Sequence, residues 1–277
     1  MYATAPSPLA TRSETAFRNL QGNIISAFQA FEMENTFSIT PWSKQPGDML
    51  QGGGITALIR GDVFEKMGVN FSCVYGTFPE AFRREIPGAV ESEGKFWASG
   101  VSLVCHPANP HVPGVHMNVR RIETSKGWFG GGADLTPALP YEADTAHFHQ
   151  TLQTSCEAYS PESYAKFKKW CDDYFFIPHR NEARGVGGIF FDYLEDRPEE
   201  TFQFVQNLGR GFLQAYLPLV KQRMDLPFTA GDRQTQLLKR GRYAEFNLMY
   251  DRGTRFGLQS GGNIDAILMS LPPQAAW

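Results

Sequence analysis

Histidine, asparagine and arginine stand at every second position of GVHMNVR, as His116, Asn118 and Arg120. In an extended strand such residues share one face and lie roughly 7 Å apart. That face would carry a group that gives or takes a proton near neutral pH, an amide that holds a polar atom, and a guanidinium that grips a carboxylate through two parallel bonds. The intervening Val115, Met117 and Val119 are apolar, so the strand reads as half-buried. A solvent-facing strand edge has the same pattern, and the stretch alone does not separate the two readings.

The chain has six histidines, and all fall between 106 and 179. Ser102, Val104 and His106 repeat the two-residue spacing, and PANPHVPG after them has turn chemistry. Ser102 and His106 are therefore expected on the face of His116, with His111 in the turn. His147 and His149 diverge by about 200° on a helix, so at most one of them faces a site. One helix histidine with His106 and His179 could hold a metal, although histidines that serve the fold carry the same signature. WFGGGADLTP, 128–137, places three glycines before Asp134. They permit a close backbone approach to a flat ligand, or positive φ. Neither this stretch nor GVGG at 185–188 has the GK[ST] of a phosphate loop or a dinucleotide setting, so no flavin, nicotinamide or nucleotide is expected. YDRGTRFGLQSGGN, 250–263, reads as a connector whose backbone N–H groups could bind an anion.

The rest of the chain must position these groups. Its 277 residues, 42% hydrophobic and 20% charged, suffice for a large core. A net charge of −3 disfavours nucleic acid as a partner, while 17 arginines against 9 lysines suit an anionic ligand. Four scattered cysteines without a CxxC pair, no secretory signal and no apolar run of membrane length point to a soluble cytoplasmic protein. Residues 1–12 read as a loose arm and 13–277 as one domain. Helices are expected from Ser13 to about Glu32, from Asp144, after Ser160-Pro161, from Pro198 to a break or kink at Pro218, and over 263–273. Strands are expected over 54–60, 96–105, 114–123, 185–194 and 241–253. The polar–apolar alternation favours antiparallel pairing, hence an α+β fold with helices packed on a large sheet.

Taken together, HPANPHVPGVHMNVR, FGGGADLTP, HFHQTL, KFKKWCDDYFFIPHRNEARGVGGIFFDYL, GRYAEFNLMYDRGTRFGLQSGGN and ILMSLPP resemble the oxygen-dependent coproporphyrinogen III oxidase family over nearly all of the chain after residue 12. The resemblance implies a single antiparallel sheet flanked by helices on both faces, and a homodimer. It implies oxidative decarboxylation of two propionates of coproporphyrinogen III to vinyl groups, with molecular oxygen as co-substrate. It makes His116 the proton donor, and Ser102, Asn118, Val119 and Arg120 substrate contacts. Gly261, Gly262 and Asn263 form a second contact stretch, and Asp134 would face the pyrrole nitrogens. His106, His149 and His179 match positions given as ligands of a divalent metal in some bacterial members. Asn263 departs from the arginine usual in similar bacterial sequences. On this reading Asp134→Ala would leave the fold intact while lowering turnover. A metal oxygenase built on the three histidines and a tetrapyrrole carrier without turnover are the competing readings.

Overall fold

The computed structural model describes residues 6–45, 47–48, 50–78, 80–259 and 262–277, with backbone alone at 81 and 82. Helix α1 (Pro8–Gln29) precedes strands β1 (Ser38–Ser43), β2 (Leu50–Ile59) and β3 (Lys66–Thr77). A single turn, α2 (Glu80–Arg83), leads to β4 (Lys95–His106), β5 (Gly114–Glu123) and β6 (Gly127–Thr136). Helices α3 (Glu142–Glu157) and α4 (Ser163–Tyr174), the short hairpin β7 (Phe176–Ile177) and β8 (Glu182–Ala183), and β9 (Gly187–Leu194) follow. The chain continues through α5 (Pro198–Arg223), α6 (Ala230–Met249), α7 (Arg252–Gln259) and α8 (Ile264–Leu268).

Strands β1 to β6 and β9 form one seven-stranded sheet in that order, every neighbouring pair antiparallel. Alternation gives the sheet two unlike faces. Val101, Leu103, Cys105, Val115, Met117, Val119, Ala133, Leu135, Ile189 and Phe191 project into the main core, where α1, α3 and α5 cover them. The opposite face carries His116, Asn118 and Arg120 and lies under α6, α7 and α8. Phe175, Phe190 and Phe246 form a smaller apolar cluster there. The α+β class, the antiparallel pairing and the helices on both faces are as expected.

Several elements differ from the sequence reading. Helix α1 begins at Pro8 rather than Ser13, because the Ser7 hydroxyl caps it by accepting from Ala10 N–H at 3.1 Å. Residues 8–12 are thus helix, not a loose arm. The expected strand 241–253 is mostly the second half of α6, which opens at Ala230 with a capping box between Thr229 and Asp232. Gln236, Arg240, Tyr243 and Asn247 are its buried stripe, at helical spacing. The segment alternates but has no β-branched residue, which weakens the case for a strand. Nor does Pro218 break α5, which runs on to Arg223. A helical proline orphans the carbonyl four residues back. His147 Nε2–H donates to that carbonyl, Gln214 O, at 3.1 Å.

Candidate active site

Strand register assembles the site. Asn118 lies opposite Ser102 on β4 and Gly132 on β6, while His116 lies opposite Val104 and Asp134. The side chains join into one chain of hydrogen bonds across three strands. Arg184 donates from one amino group to Asn247 Oδ1 at 3.1 Å and from the other to Asp134 Oδ2 at 2.6 Å. Asp134 Oδ1 meets His116 Nδ1 at 2.9 Å, and His116 Nε2 meets Asn118 Nδ2 at 3.2 Å. Arg120 donates to Asn118 Oδ1 at 2.7 Å and to Asp192 Oδ2 at 2.6 Å.

Donor and acceptor roles follow from the two ends. Arginine only donates, so the Asn118 oxygen must face Arg120 and its NH₂ must face His116. His116 Nε2 therefore accepts, and the ring's proton sits on Nδ1, where the Asp134 carboxylate receives it. His116 rests neutral, with its lone pair toward the cleft side.

Asp134 is 2% exposed. Burial alone would raise its pKa, but the charge of Arg184 and the hydrogen bond from His116 outweigh burial and hold the carboxyl below its ordinary range. Arg184, equally buried, is caged by the rings of Phe175, Tyr243 and Phe246 at 3.9, 4.5 and 4.8 Å. Asp134 thus does not line the cleft, whereas the resemblance implied a place facing the pyrrole nitrogens. It lies behind His116, with both oxygens engaged. The glycine triplet also serves differently from expected. None of the three has positive φ. A Cβ at Gly130 would come within 2.5 Å of Asp192 Oδ1 and 2.8 Å of the Arg120 guanidinium carbon, so its absence makes room for that ion pair. In GVGG, by contrast, Gly187 does need glycine, at φ +80°.

A cleft of about 600 Å³ opens above this row, within the usual size of small-molecule sites. Trp42, Phe78, Trp128, Tyr174, Phe175, Phe190 and Phe256 give it apolar walls. Ser102, His116, Asn118 and Arg120 line its floor, and Gly262 and Asn263 its roof. The Val119 side chain is buried in the main core, so it can reach a ligand only through its main chain. Asn263 caps α8, its Oδ1 accepting from Ala266 N–H at 3.1 Å. Gly261 lies outside the described residues.

Three cleft groups escaped the sequence reading. Asp192 stands alone in the apolar run IFFDYL, a buried charge whose position two after Phe190 marks the cleft face. Asp251 and Arg252 fall in the segment read as a connector, in which residues 252–259 are instead α7. Tyr174 O–H and Thr254 N–H donate to the two Asp251 oxygens at 3.0 and 2.7 Å. The Arg252 guanidinium stacks 5.0 Å from the Tyr174 ring. Trp42 Nε1, Asn70 Oδ1, Trp128 Nε1 and Arg184 Nε are buried polar atoms with no protein partner, and all four residues line the cleft. Buried polar atoms are normally satisfied, so their concentration here marks a place built for a ligand or ordered water.

The three histidines matched to metal ligands are not brought together. His106 lies under α8 and donates from Nε2 to Ser270 O at 2.9 Å. His149, on α3 at the other face of the sheet, holds Val186 O and Tyr164 Oη. His179 holds Glu245 and Tyr250. A ring nitrogen that faces a carbonyl or carboxylate carries a proton and cannot coordinate. Among the described residues no three histidine, cysteine or acidic side chains gather as a metal site, so this donor set does not fit one. His111 sits in the β4–β5 turn, held by Tyr141 and Pro227 O.

Burial pushes the His106 pKa down to about 3, against about 6.5 unfolded. Between those values the unfolded chain binds one more proton than the folded one, so stability rises with pH. The contribution is whole above 6.5 and shrinks by roughly 1.4 kcal/mol per pH unit from 6.5 toward 3. Urea unfolding of His106→Gln should show that slope reduced by one proton. An unchanged slope would mean that His106 titrates normally.

The site is thus an apolar, arginine-containing cleft over a His–Asp–Arg row on an antiparallel sheet, a place suited to a large anionic ligand. Comparison sharpens that reading. The family model described as coproporphyrinogen III oxidase matches residues 12–277. A Rickettsia bellii (strain OSU 85-389) protein named oxygen-dependent coproporphyrinogen-III oxidase is 48% identical over 271 residues, covering 94% of this chain and 95% of its own. A Rickettsia akari (strain Hartford) protein of the same name is 49% identical over 268 residues, covering 93% and 94%. The chain belongs to the coproporphyrinogen III oxidase family.

Proposed function

We propose that this chain converts coproporphyrinogen III to protoporphyrinogen IX in haem synthesis, with molecular oxygen as electron acceptor. The observation that carries the reading is the cleft itself, in which aromatic walls sized for a macrocycle meet cationic groups for carboxylates and acidic groups for pyrrole N–H. For each vinyl group formed, RCH₂CH₂COO⁻ + O₂ + H⁺ gives RCH=CH₂ + CO₂ + H₂O₂. The substrate supplies the electrons, so the reading needs no flavin, nicotinamide or metal.

Arg120 and Arg252 hold propionates, each charged hydrogen bond contributing on the order of 1.5–3 kcal/mol. Ser102, Asn118, the Val119 main chain, Gly262 and Asn263 complete the contacts, and Gly261 belongs with them by resemblance. Asp251 accepts a pyrrole N–H, since no ion pair neutralises it among the described residues, whereas Asp192 already pairs with Arg120. A deprotonated pyrrole is the better electron donor to oxygen. His116, positioned by Asp134, moves the proton that the stoichiometry requires. A homodimer follows from the family resemblance. A cytoplasmic location is supported by four free cysteines and by the finding that no described helix is long and apolar enough to cross a membrane.

Oxygen uptake and CO₂ release should both equal the vinyl groups formed, with chelator present. Loss of turnover on chelation, restored by one metal, would return the histidines to a ligand role. Asp251→Asn should lower kcat by about 10²-fold or more, the loss typical of a removed general base, while coproporphyrin III binding changes little. An unchanged kcat would move the pyrrole base to Asp192.

A further inference from the structure

We infer that Asn118 is a substrate-operated switch that turns His116 from a neutral ring into a proton donor. The inference rests on the proposed reaction and concerns how the site couples binding to proton supply. Asn118 is a positioning residue in this account, since it acts through His116.

In the structure as it stands, Arg120 fixes the orientation of the Asn118 amide by donating to its oxygen at 2.7 Å. The NH₂ is thereby presented to His116 Nε2 at 3.2 Å. A donor aimed at Nε2 favours the bare nitrogen there, while Asp134 keeps the proton on Nδ1. The resting ring has no proton to give on its cleft side. A histidine expected to donate is held in the state that cannot.

Arg120 makes two bonds of unequal strength. Its bond to Asp192 is charge-assisted, at 2.6 Å, and its bond to Asn118 is to a neutral oxygen. Both bonds carry the guanidinium's charge, but only the one to Asp192 adds the attraction of an opposite charge. A propionate arriving at Arg120 therefore displaces Asn118 before Asp192. Released, the amide can turn over and present its oxygen to His116. Nε2 then gains by carrying a proton while Nδ1 keeps its own, and the ring becomes an imidazolium. Around it stand Asp134 and Arg184 below, Arg120 on its own strand, Asp192 on β9, Tyr243 on α6, Cys171 and Tyr174 on α4, and Asp251 with Arg252 across the cleft. Among the described residues none of these is hydrogen-bonded to Nε2, whose partner is Asn118. The proton taken up equals the one consumed per vinyl group: imidazolium + HO₂⁻ gives imidazole + H₂O₂, after the electron pair of the substrate has reduced O₂.

The test uses coproporphyrin III, the oxidised macrocycle, which carries the same four carboxylates and cannot react. Calorimetric binding near pH 8, in buffers of different ionisation enthalpy, should show about one proton taken up by the wild type. The ¹⁵N signals of His116 should change from one bare and one protonated nitrogen to two protonated nitrogens. Asn118→Asp presents an oxygen permanently. Its free form should already show two protonated nitrogens, and uptake on binding should vanish. Asn118→Ala removes the switch and should also lose the linked uptake, whatever its affinity. If wild type turns over coproporphyrinogen III but binds the porphyrin without proton uptake or a His116 change, the switch is wrong and the oxidase reading stands. If there is neither turnover nor porphyrin binding, both fall.

Discussion

Asp134→Asn is expected to lower kcat on the order of 10²–10⁴-fold and to destabilise the fold by about 3–5 kcal/mol. Two causes act at once. The substituted amide has one oxygen and one NH₂, but its two neighbours, His116 Nδ1–H and Arg184, both donate. Whichever way it turns, one donor meets a donor in a site that is 2% exposed. If the NH₂ faces His116, the ring takes the other tautomer and its cleft-side lone pair is lost. If it faces Arg184, a buried guanidinium loses its counter-ion. Asp134→Ala should destabilise as well, contrary to the expectation from sequence that it would leave the fold intact. The pH dependence has a definite sign. The folded carboxyl titrates below its unfolded value near 3.9, so its stabilisation is present above about pH 4 and fades as pH falls through the folded value. Urea unfolding at pH 7 and pH 3 should show the gap between wild type and Asp134→Asn narrowing in acid. Equal stability at pH 7 would mean that the Asp134–Arg184 pair contributes nothing net.

Arg120→Ala should reduce kcat/KM by about 10²–10⁴-fold, corresponding to two charged hydrogen bonds of roughly 1.5–3 kcal/mol each, with KM rising. Asn118 then loses the donor that orients it, and Asp192 is left unpaired with little exposure. Arg120→Lys should recover only a small part. An ammonium on a flexible stem cannot reproduce a planar fork that reaches Asn118 and Asp192 on different strands while meeting a carboxylate. Steady-state kinetics of both variants decide the matter. Full activity with lysine would show that charge alone suffices at this position.

The floor of the site was legible because strand alternation is local. GVHMNVR declared its polar face, and the same period on β4 set Ser102 opposite Asn118. What was hidden depended on partners far along the chain. The triplet Gly130–Gly132 suggested close approach to a flat ligand but lies in an interior strand, bare at Gly130 where the Arg120–Asp192 pair crosses it. Asp134 was expected to face the pyrrole nitrogens, and its burial depends on Arg184, 50 residues on. The α6 segment alternates well enough to imitate a strand, and its cap at Thr229 lies beyond the window that alternation inspects. The histidines clustered in sequence for separate reasons. One satisfies the carbonyl freed by Pro218, one ties α8 to the sheet, and one performs the proposed chemistry.

The most direct measurement is anaerobic mixing of the purified protein with coproporphyrinogen III, followed by admission of oxygen in the presence of chelator. The account predicts no product before oxygen and, after it, protoporphyrinogen IX with two CO₂ released per macrocycle. Bound macrocycle that remains tetracarboxylate after oxygen is admitted would contradict it and leave a carrier in place of an enzyme.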